Sequence, residues 1–324
     1  MNRPHTRHPD QTPDCDSPGA PIRCITIDVE EYFQIEAAYP VIGPSRWDDW
    51  PSRVEPSMDS LLELFERTGC RATFFFLGSI AQRHPHLARR CVKLGHEVGS
   101  HGSMHDRLHR LTPNLMRRDV LDSKHLLEDQ IGRPVLGYRA PTWSVTRQTS
   151  WAVDVLIDAG FRYDASVFPV NHPNYGVPEA PDRPYYVKGF NRDTTLLEIP
   201  PLTWRLAGRN IAVAGGGYFR LLPLSLMRRG LMQAARQKRP AVLYFHPWEF
   251  DPELPCMPLG LAGRVRTYTG LKSAKRRLEQ IIRQYSENIP GQQNAWCPIA
   301  EHLDTFESIA RQTGVFTLRP QAAA

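Results

Sequence analysis

Ligand-grade and acid–base residues in this chain cluster in five short stretches: Asp28-Val29-Glu30-Glu31, His101-Gly102-Ser103-Met104-His105, Arg139-Ala140-Pro141, Asp164-Ala165-Ser166 and His246-Pro247-Trp248-Glu249. In an extended strand, residues two apart face one side, so Asp28 and Glu30 converge while Glu31 turns away. His101 and His105 are four apart, which puts both rings on one side of a helical turn. Two imidazoles and a carboxylate with an open position for water make a catalytic zinc site, and a second carboxylate near that water can serve as general base. Arg139 is placed to pair with Asp28 and hold it ionised. Asp164 is placed to orient His246, an arrangement suited to a general acid. Taken singly, each stretch has a plainer use: a helix cap, a surface histidine pair, a structural ion pair or a satisfied core histidine.

What favours chemistry is position, since each stretch follows an apolar run. The pattern predicts strands at 23–29, 71–77, 96–100, 135–138, 161–163, 196–199 and 241–245, alternating with helices at 56–67, 80–94, 113–130, 146–159, 224–237 and 271–284. Such alternation implies βαβ units and a mostly parallel sheet. In α/β barrels the reactive groups sit at the carboxyl ends of the strands. The expected fold is therefore α/β, a distorted (β/α) barrel with fewer than eight regular units. The long loop 169–184 and the loop aromatics Trp143, His172 and Tyr175 fall on the same face, where they would line a substrate groove.

Composition narrows the partners. The 324 residues include 40 Lys plus Arg against 34 Asp plus Glu, a net charge of +6. The excess is concentrated between Arg205 and Arg283, with 15 basic and 4 acidic residues. That stretch lacks the interleaved aromatics of a single-strand groove, which argues against nucleic acid. It remains compatible with an anionic glycan, a lipid-linked precursor or peripheral contact with an acidic membrane. No run reaches the roughly 18 apolar residues of a membrane helix. Residues 1–21 hold five prolines and no Leu, Val, Ile or Phe, so a disordered tail without a signal-type apolar core is expected. The six scattered cysteines are expected to be reduced thiols in a cytoplasmic protein. Residues 22–324 are expected to form one domain, with a basic C-terminal extension from about 252. Oligomeric state is not legible.

With these residues in view, the chain resembles the polysaccharide deacetylases of carbohydrate esterase family four, the NodB-homology domain. The motifs that carry the resemblance are T-I-D-V-E-E, S-H-G-S-M-H, Y-R-A-P, Y-D-A-S and L-Y-F-H-P-W-E, in the family's order from Ile22 to about Asp251. The 175–184 loop, the H-P-W-E continuation and the basic C-terminal region resemble a branch of bacterial exopolysaccharide biosynthesis associated with exosortase-type sorting.

The resemblance implies a divalent metal, with zinc the default, and hydrolysis of N-acetyl groups on the amino sugars of a polysaccharide or its precursor. It makes Asp28 the general base paired to Arg139, His101 and His105 metal ligands, and His246 the general acid tuned by Asp164. The Thr142 backbone amide would help to stabilise the oxyanion. Tyr244 stands where the family often has Leu, beside the acetyl methyl. The family's usual metal carboxylate is the second of an Asp-Asp pair, whose place Val29 takes here. Related deacetylases with an Asp-x-Asp pattern use the i+2 carboxylate, which assigns the role to Glu30. Gly102 replaces the usual Ser or Thr of the histidine motif. Two other readings fit less of this: a small cyclic-amide hydrolase on the same fold, and a catalytically inactive glycan-binding scaffold.

Overall fold

The computed structural model describes residues 21–190, 193–286 and 296–319. The expected tail lies almost wholly outside the described residues. Eleven strands are present: β1 (Arg23–Val29), β2 (Thr73–Phe76), β3 (Glu97–Ser100), β4 (Gly137–Tyr138), β5 (Tyr163–Asp164), β6 (Tyr185–Lys188), β7 (Thr195–Glu198), β8 (Thr203–Leu206), β9 (Arg209–Ala212), β10 (Ala241–Phe245) and β11 (Val315–Thr317). Nine form one sheet in the order β10-β1-β2-β3-β4-β5-β7-β6-β11, while β8 and β9 make a separate hairpin. From β10 to β7 every pairing is parallel. β6 pairs antiparallel with β7, and β11 pairs parallel with β6, so both run against the others.

The parallel strands curl into a distorted barrel. Closure between β7 and β10 is made by chain beyond β7: Leu202 N–H donates to Val242 O at 2.9 Å, and Tyr244 N–H donates to Ala214 O at 3.1 Å. Gly215 adds an isolated parallel bridge to Tyr244.

The two-residue period of the strands sorts side chains to the inside or the outside. On β1, Ile25, Ile27 and Val29 join the outer core beneath the helices. Cys24 joins Phe75, Tyr163, Ala165 and Val242 in the barrel interior. Beads on the inward rows are small where strands crowd. A Cβ on Gly137 would lie 2.0 Å from the Tyr163 ring, and one on Gly99 would lie 2.6 Å from the Phe75 ring.

Local signals set the helix boundaries. Val54–Thr68 stops at Gly69, which is left-handed at φ 66°. Pro113–Ile131 starts at Thr112, whose side chain accepts from Leu115 N–H. The single helix expected at 80–94 is two, Gly78–Arg83 and Pro85–Lys93, because Pro85 cannot donate the bond that would continue the first. Beyond 252 the chain builds into the same core. Leu278, Ile281 and Ile282 of helix Leu271–Ser286 pack on the outer layer. Leu303 and Phe306 of helix Leu303–Thr313 pack with Ile299 onto the interior cluster.

Cys24, Cys70, Cys91 and Cys256 are free thiols, whereas Cys297 is disulfide-bonded. The expectation of reduced cysteines throughout therefore fails at Cys297. Among the described residues, no helix is long and apolar enough to cross a membrane.

Candidate active site

Three inward rows end at one mouth of the barrel. Thr26, Asp28 and Glu30 continue the row of β1, His101 follows β3, and Val242, Tyr244 and His246 continue the row of β10. The mouth holds a cavity of about 290 Å³ lined by Asp28, Glu30, His101, His105, Thr142, Trp143, Tyr175, Tyr244 and His246 among others.

Glu30, His101 and His105 are buried, and one ligand atom from each lies within 4.8 Å of the others. The pair His101 and His105 does not ride on a helical turn, as the spacing had implied. The segment is a loop in which Gly102 (φ 76°) and His105 (φ 56°) are both left-handed. Its sharp reversal leaves the two rings 5.3 Å apart between centroids. Gly102 is needed there, since a Cβ would also meet an Asp119 carboxylate oxygen at 2.6 Å.

The donor set fits a divalent cation. His101 Nδ1 lies 2.7 Å from Arg139 O, which fixes Nδ1 as the protonated nitrogen and leaves Nε2 as a free lone pair. Glu30 Oε2 stands 2.6 Å from His105 Nε2, yet it is buried with no aligned hydrogen bond. Two imidazoles and a carboxylate whose donor atoms converge this closely match a metal ligand set. The other oxygen, Oε1, accepts the Trp248 indole N–H at 3.0 Å. Burial pushes the Glu30 carboxyl up, but His105, His246 and His101 outweigh it and hold it at about 2. Burial lowers His101 to about 4, so its imidazole is neutral as a ligand requires.

Asp28 is held from below. The Arg139 guanidinium, buried at 1 % exposure, donates to Asp28 Oδ1 at 2.8 Å and to Thr26 Oγ1 at 2.6 Å. Its Nε donates to Ala165 O at 3.0 Å. The guanidinium carbon also lies over the Phe75 and Trp143 rings, at 4.4 and 4.7 Å. These contacts leave Oδ2 of Asp28 facing the cavity, 3.9 Å from His246 Nε2.

Asp164 does not reach His246. Tyr163 and Ala165 take the inward positions on this strand, so Asp164 points to the outer layer. There it accepts from the Ser166 hydroxyl beside the Glu198 carboxyl. Burial raises both carboxyls, Asp164 to about 6, so the pair holds a proton between them. The partner of His246 is Glu249, with Nδ1 to Oε1 at 2.6 Å. Glu249 Oε2 in turn accepts from Arg220 Nε at 2.7 Å, and that guanidinium also donates to Thr267 O, Thr269 O and Arg266 O. Burial alone would lower His246, but Glu30, Glu249 and Asp28 raise it to about 9. Burial raises Glu249, and Arg220 and His246 more than offset it, so its carboxyl is lowered overall.

Glu31 leaves the site as its alternation requires. Its carboxylate accepts from Ser52 Oγ and from the N–H groups of Arg53 and Val54, capping helix Val54–Thr68. Thr142 and Trp143 sit at the rim with φ of 56° and 54°, a rare backbone for a β-branched or bulky residue, and Trp143 packs edge-on against Tyr244 at 4.8 Å. His172 stacks on Tyr175 at 3.8 Å, outside the cavity lining. Glu249, Trp248 and Arg220 had no assigned role in the sequence reading. The three-residue step from His246 to Glu249 was the one available signal.

Residues 45–163 match the polysaccharide deacetylase family, and residues 165–292 match a domain of unknown function. A peptidoglycan deacetylase of Helicobacter pylori is 31 % identical over 134 residues, covering 41 % of each chain. A peptidoglycan-N-acetylglucosamine deacetylase of Bacillus cereus is 33 % identical over 81 residues, covering 25 % of this chain and 38 % of its own. The matched region thus spans about two fifths of these curated relatives. Among solved structures, a candidate polysaccharide deacetylase from Mycobacterium smegmatis superposes over 97 % of this chain and 98 % of its own, with TM-score 0.63 and 19 % identity. An allantoinase superposes over 95 % and 98 %, with TM-score 0.57 and 13 % identity. Those two likenesses speak for the fold, and the sequence matches show that residues 45–163 are similar to the polysaccharide deacetylases.

Proposed function

We propose that this protein is a metal-dependent deacetylase that removes N-acetyl groups from amino sugars of a bacterial polysaccharide or its precursor, in exopolysaccharide biosynthesis. One observation carries the reading. A three-ligand set, an arginine-paired Asp28 and a glutamate-paired His246 converge on a single cavity. The relatives' names, a peptidoglycan deacetylase and a peptidoglycan-N-acetylglucosamine deacetylase, point to the same bond.

Glu30, His101 and His105 would hold the cation, with zinc the first choice for an imidazole–carboxylate set. When bound it supplies Lewis-acid polarisation of the amide carbonyl and a more acidic water. Asp28, paired to Arg139, takes the proton of the attacking water through Oδ2. The Thr142 backbone N–H, at the rim of the cavity, donates to the oxyanion. His246 enters the reaction as an imidazolium and protonates the departing sugar nitrogen, with Glu249 carrying the compensating charge. Trp143 and Tyr244 enclose the acetyl methyl. Acetate and a free amine leave.

An inactive scaffold would not keep both proton-transfer groups paired and aimed into one cavity. Val29, the departure that favoured it, is a buried core residue, and Glu30 stands where a ligand is needed. The test is acetate release from N-acetylhexosamine oligomers after chelation and after zinc is restored. Loss and recovery is the expected result. Full turnover in a preparation shown to be metal-free by elemental analysis would overturn the reading.

A further inference from the structure

A second depression adjoins the cavity. It has a volume of about 890 Å³ and runs between the 169–182 segment and the β8–β9 hairpin, with Tyr218 in its wall. Tyr218 also links the two spaces, because its hydroxyl lies 3.4 Å from that of Tyr175, which lines the cavity. The charges of this groove are unevenly satisfied. Its two acids are neutralised: Glu179 by Arg147, and Asp182 by Arg239 at 3.1 Å and Arg183 at 3.7 Å. Its two cations, Arg205 and Arg209, are exposed, and among the described residues no carboxylate pairs with either side chain. The cavity repeats this. Arg220 is consumed by Glu249 and three carbonyls, while Arg266 lines the wall with no ion-pair partner among the described residues.

Arginines that meet no carboxylate along a path leading from a reactive site are unspent binding capacity for an oxyanion, since guanidinium forks match carboxylate and phosphate. We propose that the substrate is an anionic glycan that lies across the Tyr175–Tyr218 contact, with an acidic group near Arg266 and further acidic groups on Arg205 and Arg209. This rests on the deacetylase reading and adds substrate class and direction. The groove comes from loop 169–182 and the β8–β9 hairpin, so the preference belongs to the half of the chain that matches the domain of unknown function.

The test measures binding to the full-length, zinc-loaded chain by calorimetry, and acetate release in parallel. The probes are a disaccharide and an octasaccharide of alternating glucuronate and N-acetylglucosamine, with carboxyl-reduced counterparts as neutral controls. The anionic octasaccharide should bind roughly tenfold or more tighter than its reduced form, the scale of a charge-assisted contact. The advantage should shrink with salt. Arg205→Gln with Arg209→Gln should remove most of it for the octasaccharide, raising KM while kcat stays level, and leave the disaccharide unmoved. Lysine at both positions should restore it in part, which separates charge from folding. Equal binding of reduced and anionic octasaccharides overturns the proposal, and so does an unchanged preference in the double variant. Phosphatidylglycerol vesicles that bind in place of the oligosaccharide, and lose that binding in the double variant, would assign the arginines to a membrane and overturn it as well. A preserved binding preference with no acetate from any probe would sink the deacetylase reading alone. Acetate from both octasaccharides with equal kinetics would sink the groove alone.

Discussion

The Nδ1 atom of His246 lies 2.6 Å from Oε1 of Glu249, three residues on, and the same oxygen accepts the His246 backbone N–H at 3.1 Å. A single carboxylate thus fixes both the ring and its main chain, and the Arg220 contact holds that carboxylate in turn. The imidazolium persists to about pH 9 because Glu30, Glu249 and Asp28 outweigh its burial.

Glu249→Gln removes one of those charges. The group raised above its ordinary value then loses its proton earlier, so the alkaline limb of the pH–rate profile should move to lower pH. Turnover at the optimum should fall about tenfold, a change of roughly one pKa unit in the acid. The same variant leaves Arg220 buried without its carboxylate, so thermal stability should be recorded alongside. An alkaline limb in its original place would show that another group is the acid.

Asp28→Asn and His246→Ala should each lower turnover by roughly 10²–10⁴-fold, the worth of a positioned base or acid. Neither is among the proposed metal ligands, so zinc affinity measured by competition with a chromophoric chelator should stay near that of the parent. Near-parent turnover in Asp28→Asn would remove Asp28 from the mechanism.

The adjacent glutamates should separate cleanly. Glu30→Ala deletes one of the three proposed ligands, so zinc affinity and turnover should fall together and turnover should recover partly at high zinc. Glu31→Ala should keep both and instead lose stability by about 1 kcal/mol, the usual cost of removing a helix cap, seen as a lower Tm. A severe loss of zinc affinity in Glu31→Ala with none in Glu30→Ala would reverse the assignment.

Asp164 bears on stability. Its folded-state pKa is raised from 3.8 to about 6, so the folded chain holds a proton that the unfolded chain has released. The stability from this group is fully present below pH 3.8 and is lost as pH rises through about 6. Asp164→Asn keeps the oxygen that faces Ser166 and cannot ionise. It should flatten the urea-unfolding stability profile over that window and leave turnover close to the parent value. A hundredfold loss of turnover with an unchanged pH–stability profile would put Asp164 back in the proton-transfer chain.

The boundaries of the fold were legible where a short rule governs them. β1 and β10 run over the residues the apolar runs marked, 23–29 and 241–245, and the helices end at Gly69 and Gly132 as their left-handed caps require. The antiparallel β6, the β8–β9 hairpin and β11 were not legible. They are short, and their partners lie far along the chain or on a strand edge, so local composition carries little trace of them. Helix Leu303–Thr313 was missed although it is amphipathic.

At the site, the sequence alone determined which residue types occupy the strand ends, and the two-residue period separated Glu30 from Glu31. Period without register was insufficient for Asp164. Its strand contributes Tyr163 and Ala165 to the interior, and which alternate set turns inward depends on pairing with β4 and β7. The approach of His101 to His105 likewise came from two left-handed residues in a loop rather than from helical spacing. Arg220 stands 29 residues before Glu249 and on a different element. Only closure of the barrel, which brings the chain after β7 against β10, puts that guanidinium behind His246. Spacing along a chain reports geometry within one element, whereas contacts between elements are decided by how the whole sheet curls.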